Sequence, residues 1–211
     1  MATLRERQRE RRHSAIMDAA WELASEKGFE ETSVEEIAER AEVGPATVYA
    51  YFGSKNELLA ALFIRFVEQE ADDAEIVLQN PPDELVAGMT ALFMTYLEGM
   101  VRRCTPRLRT DVYALSVTKR FDYGRYTYEL KRRFLDQSLS LATHYKARGQ
   151  IREDVSAEEA SAVCLSASVF PIVTFALGLG IDIDTAHSML QRYLTLTVAG
   201  IGRQDSEHNE T

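Results

Sequence analysis

Apolar residues recur at three- and four-residue steps along almost the whole chain, and no stretch alternates apolar with polar as a half-buried strand does. The pattern predicts an all-α protein. A first helix spans about Arg11 to Lys27, with Ile16, Ala19, Ala20, Leu23 and Ala24 on one stripe and Gly28 placed to end it. A second begins near Ser33, where Thr32 with Glu35 and Ser33 with Glu36 form two overlapping capping boxes; Val34, Ile37, Ala38 and Ala41 make its buried face. After the break Glu42-Val43-Gly44, Pro45 opens a short third helix that ends near Phe52, since proline's missing N–H is harmless at a first helical position. Ser54 and Glu57 cap a fourth that runs past Val67.

Longer helices follow. Asn80-Pro81-Pro82-Asp83 is a turn, and Leu85, Met89, Leu92, Phe93, Tyr96, Leu97 and Met100 mark the helix after it. Another runs from Thr105-Pro106 to about Val117, a charged loop from Lys119 to Gly124, and a further helix from about Tyr126 to Arg148. Ser156 with Glu159 caps a helix that carries no charge from Ala160 to Ile181. Asp184 is placed to cap the last one, with Met189, Leu190, Tyr193, Leu194 and Val198 on one face. The uncharged run is long enough to span a bilayer, but it holds several Ser, Thr and Gly and is flanked by Glu158, Glu159, Asp182 and Asp184. A helix buried on all sides by protein fits it better, and no membrane partner is expected.

Composition narrows the function classes. The chain has 211 residues, 45% of them hydrophobic, enough for a small module and one larger domain. Its net charge of -9 argues by itself against a nucleic-acid partner. Residues 1–12 reverse that locally: five arginines (Arg5, Arg7, Arg9, Arg11, Arg12) stand against two glutamates, a net of +3. That segment reads either as a frayed, solvated terminus or as an arm for DNA. The only cysteines, Cys104 and Cys164, are too far apart for a metal or redox pair motif, and no secretory signal opens the chain, so a cytoplasmic protein is expected. His13, His144, His187 and His208 lack metal spacing, and neither a Gly-rich phosphate loop nor a nucleophile motif is present. An enzyme is therefore not expected, nor any catalytic residue, metal or cofactor.

Two short helices joined by a tight turn suit DNA, the second lying in the major groove while the first braces it across the backbone. Thr47, Tyr49 and Tyr51, followed by Ser54 and Lys55, are side chains that bind phosphate, and the Pro45 end presents free N–H groups and a positive dipole end. The arginine-rich arm then reaches along the neighbouring backbone or into a minor groove.

Residues 16–62 resemble the DNA-binding domain of the tetracycline-repressor (TetR) family. The resemblance rests on Ile16-Met17-Asp18-Ala19-Ala20, Gly28-Phe29, Thr32-Ser33-Val34, Ile37-Ala38, Thr47-Val48-Tyr49-Ala50-Tyr51-Phe52, Ser54-Lys55 and Leu58-Leu59. It implies that Thr32 or Ser33, with Thr47, Tyr49, Tyr51 and Lys55, hold phosphates, and that Gly44, Pro45 and Ala46 approach base edges. It also implies a larger helical domain that binds a small molecule and forms a homodimer through its last two helices. Boundaries follow: residues 1–55 as a three-helix DNA-binding domain, 56–205 as the ligand-binding and dimerisation domain, and 206–211 as a flexible tail.

Three positions depart from the family pattern: Glu42 where the turn usually has Gly, Gly44 where Ser or Thr is usual, and Ala46 where Gly is common. A tight corner needs positive φ, so Glu42 is expected in the left-handed region with its side chain in solvent. With few hydrogen-bonding groups on the third helix, thymine methyls and DNA shape carry more of the specificity.

In the larger domain, Phe93, Tyr96, Leu97, Tyr113, Tyr126, Phe134 and Phe170 are the candidate lining of a mostly apolar ligand site with a few polar handles. Pro171 frees the carbonyl of Ala167, either for a ligand or as a simple kink. The reading is a repressor released from a palindromic double-stranded operator by a small, largely apolar effector. Two alternatives stay open: a DNA-binding regulator with no ligand, and redox sensing through Cys104, which follows Arg102 and Arg103.

Overall fold

The structure, a computed structural model, describes residues 3–117 and 124–201, with the side chains of 112–131 outside the description. Every regular element in it is a helix: α1 (Leu4–Lys27), α2 (Val34–Arg40), α3 (Pro45–Phe52), α4 (Lys55–Gln79), α5 (Leu85–Arg103), α6 (Pro106–Val117), α7 (Gly124–Ala147), α8 (Ala157–Ala176) and α9 (Ile183–Ile201). The chain divides into two compact units, 1–68 with 103–128, and 69–102 with 129–211. Of the charged loop expected at 119–124, residues 119–123 lie outside the described residues and Gly124 is the first residue of α7; the tail expected at 206–211 also lies outside them.

In the first unit the core is the expected stripe of α1 (Ile16, Ala19, Ala20, Leu23 and Ala24) closed by Val34, Ile37 and Ala38 of α2 and Val48 and Phe52 of α3. Each large side chain buried here contributes about 1.5–3 kcal/mol. Leu58 and Leu62 of α4 and Leu108 of α6 complete it, and Trp21 stacks on Phe66 at 5.8 Å between centroids. α6 is fastened to the end of α1 and the loop after it: the Thr105 hydroxyl donates to the Ser25 carbonyl at 3.1 Å, and the Phe29 N–H donates to Asp111 at 3.3 Å.

α1 starts seven residues earlier than the apolar pattern indicated, at Leu4 and not at Arg11. Thr3 and Glu6 form a capping box there: Glu6 accepts from the Thr3 N–H at 2.6 Å and donates its own N–H to the Thr3 hydroxyl at 3.2 Å. Residues 4–14 are all exposed, so no buried stripe announces this part of the helix. The arginine-rich segment is thus neither frayed nor an extended arm.

The second unit is built around Met89, Leu92, Phe93 and Leu97 of α5, Leu141 and Tyr145 of α7, and Leu190 and Leu194 of α9. Two glycines of α5 admit large polar groups. A Cβ on Gly99 would lie 1.3 Å from an oxygen of the buried Glu70 carboxylate, and one on Gly88 would lie 1.9 Å from the Tyr145 hydroxyl. That hydroxyl donates to the Pro82 carbonyl at 2.7 Å, tying α7 to the turn before α5.

Two expectations need correction here. The cap of α9 is Asp182, which accepts from the Thr185 N–H at 2.8 Å; Asp184 lies inside the first turn. α8 passes through Pro171 as one helix, but it is not buried on all sides. Ala160, Ser161, Cys164, Ser168 and Phe175 face inward, while Val163, Val169 and Phe170 are exposed. α8 is the one helix among the described residues that is long and apolar enough to cross a membrane by length and composition.

Candidate nucleic-acid interface

Local chemistry shapes the α2–α3 pair. Of the two overlapping capping boxes the chain uses Ser33 with Glu36: the Ser33 hydroxyl accepts from the Glu36 N–H at 3.2 Å, and Glu36 accepts from the Ser33 N–H at 2.8 Å. The Lys27 ammonium also reaches Glu36, and these donors hold its carboxyl well down, at about 2. Thr32, left out of the box, is buried and donates its hydroxyl to the Gly28 carbonyl at 2.9 Å.

The corner follows. Glu42 has φ of 55°, the only non-glycine residue at positive φ among those described, and its side chain is exposed. This is the conformation expected of a tight corner that lacks glycine. The Val43 N–H then reaches back to the Ala38 carbonyl at 2.9 Å.

Gly44 opens α3 without a side-chain cap, and Pro45 takes the first helical position. Space around Gly44 is open, with nothing within 4 Å of an added Cβ. Pro45, Ala46, Tyr49 and Ala50 face outward while Val48 and Phe52 face the core. The exposed side of α3 is thus small and uncharged near its N-terminus, and the free amide groups of its first turn give it a positive dipole end.

The expected phosphate-binding side chains differ in what they have free. Tyr49 is 47% exposed, and its hydroxyl has no protein partner among the described residues. Thr47 is half-buried. The Tyr51 hydroxyl donates to the Arg9 carbonyl at 3.3 Å. The Lys55 ammonium donates to the Glu30 carbonyl at 3.0 Å and sits 5.1 Å from the centre of the Phe29 ring. An ammonium has three donors, so Lys55 keeps capacity for a phosphate. Thr32 and Ser33 have already committed their hydroxyl protons to protein groups, Ser33 to Glu36 at 2.8 Å.

In the second unit the candidate ligand residues separate. Phe93 and Leu97 are fully buried, and Phe134 packs against Phe93 at 5.6 Å and against Tyr96 at 4.7 Å, edge-on. The Tyr96 hydroxyl donates to Gln137 Oε1 at 2.5 Å, and Gln137 Nε2 donates to the Ala71 carbonyl at 2.8 Å. Burial pushes the Tyr96 hydroxyl above its ordinary range. Gln137 belongs to this cluster and was missed, because a lone glutamine on a helix gives no sequence signal. Phe170 does not join the cluster. It is exposed on α8, with its ring 6.4 Å from that of Tyr193. The side chains of Tyr113 and Tyr126 lie outside the described residues. A concavity of about 730 Å³ in this unit is lined by Lys146, Gly149, Ile151, Arg152 and Asp154, and by none of the expected aromatics.

Neither cysteine forms a disulfide among the described residues; both are buried, and burial pushes the Cys164 thiol up to about 12. Arg102, two positions before Cys104, is engaged elsewhere, donating to Asp73 at 2.9 Å.

The sequence profile of bacterial regulatory proteins of the tetR family matches residues 16–62. The fatty acid metabolism regulator protein of Bacillus subtilis is 34% identical over 71 residues, and the transcriptional repressor KstR of Mycolicibacterium smegmatis is 44% identical over 64. These matches take in 32% and 30% of this chain, and only 37% and 31% of the relatives' own length. Similarity of fold extends much further. The FadR regulator of Bacillus subtilis, solved with stearoyl-CoA, superposes with a TM-score of 0.71 at 20% identity, over 89% of this chain and 98% of that one. The Thermus thermophilus FadR repressor, solved with lauroyl-CoA, gives 0.69 at 21% identity, over 94% and 100%. The chain is thus an N-terminal helix-turn-helix followed by a larger helical domain, and its residues 16–62 are similar to the tetR family of bacterial regulatory proteins.

Proposed function

We propose that this protein is a homodimeric transcriptional regulator that binds a palindromic operator through α3 and is released by a small, largely apolar effector, in the bacterial cytoplasm at the nucleoid. One observation carries the DNA part. α3 buries Val48 and Phe52 while presenting an open Gly44-Pro45-Ala46 edge and a free Tyr49 hydroxyl, the form of a helix that enters a groove with its N-terminus first. Tyr49, Thr47 and Lys55 hold phosphates, and Tyr51 positions the end of α3 against α1. Gly44, Pro45 and Ala46 approach the bases, where the Ala46 methyl meets thymine methyls.

A second copy of this chain covers the uncharged outer face of α8. Val163, Val169 and Phe170 of α8 and Leu196 of α9 are exposed and apolar, and α8 packs on α9, so two copies form a four-helix interface. The effector site lies at the Tyr96–Phe134–Gln137 cluster, where a hydroxyl and an amide stand among apolar rings. The acyl-CoA molecules held by the two FadR structures support an effector with a long apolar portion.

Selecting duplexes from random sequence with the whole protein tests the first part: recovery of an inverted repeat is expected, and recovery of no duplex overturns it. Adding lauroyl-CoA or stearoyl-CoA to the selected complex tests the second, with release of DNA expected. A regulator without ligand is the second reading. It is favoured by the complete burial of Phe93 and Leu97 and by the hydroxyl of Tyr96 already bonded to Gln137, and it stands if no acyl-CoA shifts either DNA binding or melting temperature.

A further inference from the structure

The exposed part of α1 is a folded feature that the α3 interface does not use. The exposed residues 4–14 make up about 16 Å of helix ahead of the buried part, at 1.5 Å per residue. Five arginines lie on it, and none has an ion pair among the described residues. Elsewhere in the same unit four basic side chains are matched with acids: Lys27 with Glu36, Arg40 with Glu22 and Glu26, Arg65 with Asp18, and Arg107 with Glu31. The extension's own Glu6 is spent on the Thr3 cap.

The arginines are not scattered around the helix. Arg5, Arg9 and Arg12 follow the spacing i, i+4, i+7, and Ile16 continues it at i+11, so all four fall within about 60° of one another. Ile16 is fully buried in the core that α1 shares with α2 and α3. The arginine stripe therefore prolongs the face of α1 that looks toward the helix-turn-helix. Arg7 and Arg11 project from roughly the opposite side.

Two contacts fix the extension to α3. The Tyr51 hydroxyl donates to the Arg9 carbonyl at 3.3 Å, and the His13 ring packs 4.8 Å from Phe52 and 6.1 Å from Tyr51. The stripe is thus held beside the end of α3 and cannot swing freely as a disordered tail would.

We infer that Arg5, Arg9 and Arg12 form a second DNA-backbone site, a helical clamp that binds phosphates of the operator outside the part engaged by α3. The inference rests on the proposed DNA-binding function and deepens it. Charge complementarity selects the occupant: three unpaired guanidinium groups at one-turn spacing suit successive phosphates, and a chain with net charge -9 offers no comparable reason to leave them unmatched.

The test compares salt dependence on a selected duplex about 40 base pairs long, enough to span two half-sites and their flanks. Arg5→Ala/Arg9→Ala/Arg12→Ala is expected to flatten the slope of log affinity on log salt by about 2.7 per bound chain. Hydroxyl-radical protection at the outer edges of the footprint should vanish with it. Arg7→Ala/Arg11→Ala should flatten the slope by less than about one and leave the footprint whole. Arg5→Lys/Arg9→Lys/Arg12→Lys should keep the wild-type slope, which rules out a folding defect as the cause. Equal flattening per charge by the two alanine variants, or an unchanged slope in the first, overturns the clamp alone when the wild-type protein binds the duplex. A wild-type protein that binds none of the selected duplexes overturns the DNA reading and the clamp together.

Discussion

α3 and α8 each leave one face without a partner among the described residues, yet the two faces differ in kind. The outer side of α3 is small and uncharged at Pro45, Ala46 and Ala50, with the Tyr49 hydroxyl on it and Lys55 just beyond. Beyond its acidic first turn, the outer side of α8 shows Val163, Val169 and Phe170 and no charge. A face with free N–H groups and hydroxyls is stable in water and suits a hydrated, charged partner such as a phosphate backbone. A face of exposed Phe and Val is costly in water and suits another apolar face. The difference teaches that an unpartnered helix reveals its partner through the cost of leaving it bare.

The largest expected effect comes from giving α8 the character of α3. Val169→Glu/Phe170→Glu should weaken self-association by about 100-fold or more, since it buries two charges where the interface needs apolar anchors. Sedimentation should then show monomer at micromolar concentration, with operator affinity falling alongside. A dimer that persists unchanged would assign the α8 face to something other than a second copy.

Next in size are substitutions on α3 and its rim. Lys55→Ala should weaken binding to every sequence and flatten the salt slope by roughly one counterion, measured by titration at several salt concentrations. Tyr49→Phe, which removes one free hydroxyl, should cost roughly three- to tenfold. If either variant changes which bases are preferred while keeping overall affinity, the phosphate assignment is wrong.

A third test asks how far the α2–α3 pair depends on its local cap. The Glu36 carboxyl sits at about 2 in the folded protein against its ordinary 4.5. A lowered value means stability that is present above the ordinary value and lost as pH falls toward 2. Glu36→Gln should therefore melt below wild type at pH 7, and the gap should close in melting curves recorded from pH 4.5 down to 2. A gap independent of pH would mean that packing, and not the carboxylate, holds this corner.

The smallest effect is expected at Glu42. Its positive φ costs on the order of 1 kcal/mol. Glycine removes that strain but loosens the unfolded chain by about 0.4–1 kcal/mol. Glu42→Gly should raise the melting temperature by about one or two degrees, with DNA affinity little changed. A clear loss of stability would reveal a contact made by the glutamate side chain.

These residues also show why some features could be read before the structure and others could not. The corner at Glu42, the Pro45 start of α3 and the Ser33 and Ser156 caps depend on neighbours within four positions, and so stand in the sequence directly. The start of α1 depends on an equally local box, Thr3 with Glu6, but no apolar stripe marks it, because residues 4–14 have none facing a core. The sequence pattern placed the cap of α9 at Asp184, and that Asp182 fills this place depends on the backbone path after Gly180.

Sequence alone determined the helical class, the helix-turn-helix with its corner, and which side of each short helix is apolar, because periodicity, proline, glycine and capping act over one or two turns. Only tertiary structure decided what lies far apart in the chain and close in space. It set α6 against α1 through Asp111 and Thr105, bonded Tyr96 to Gln137, and cut Gly99 to fit Glu70. It also turned Phe170 outward, away from the cluster that its aromatic character suggested. The physical reason is that an apolar pattern states that a face must be covered, while the identity of the cover depends on which helices the whole chain brings alongside.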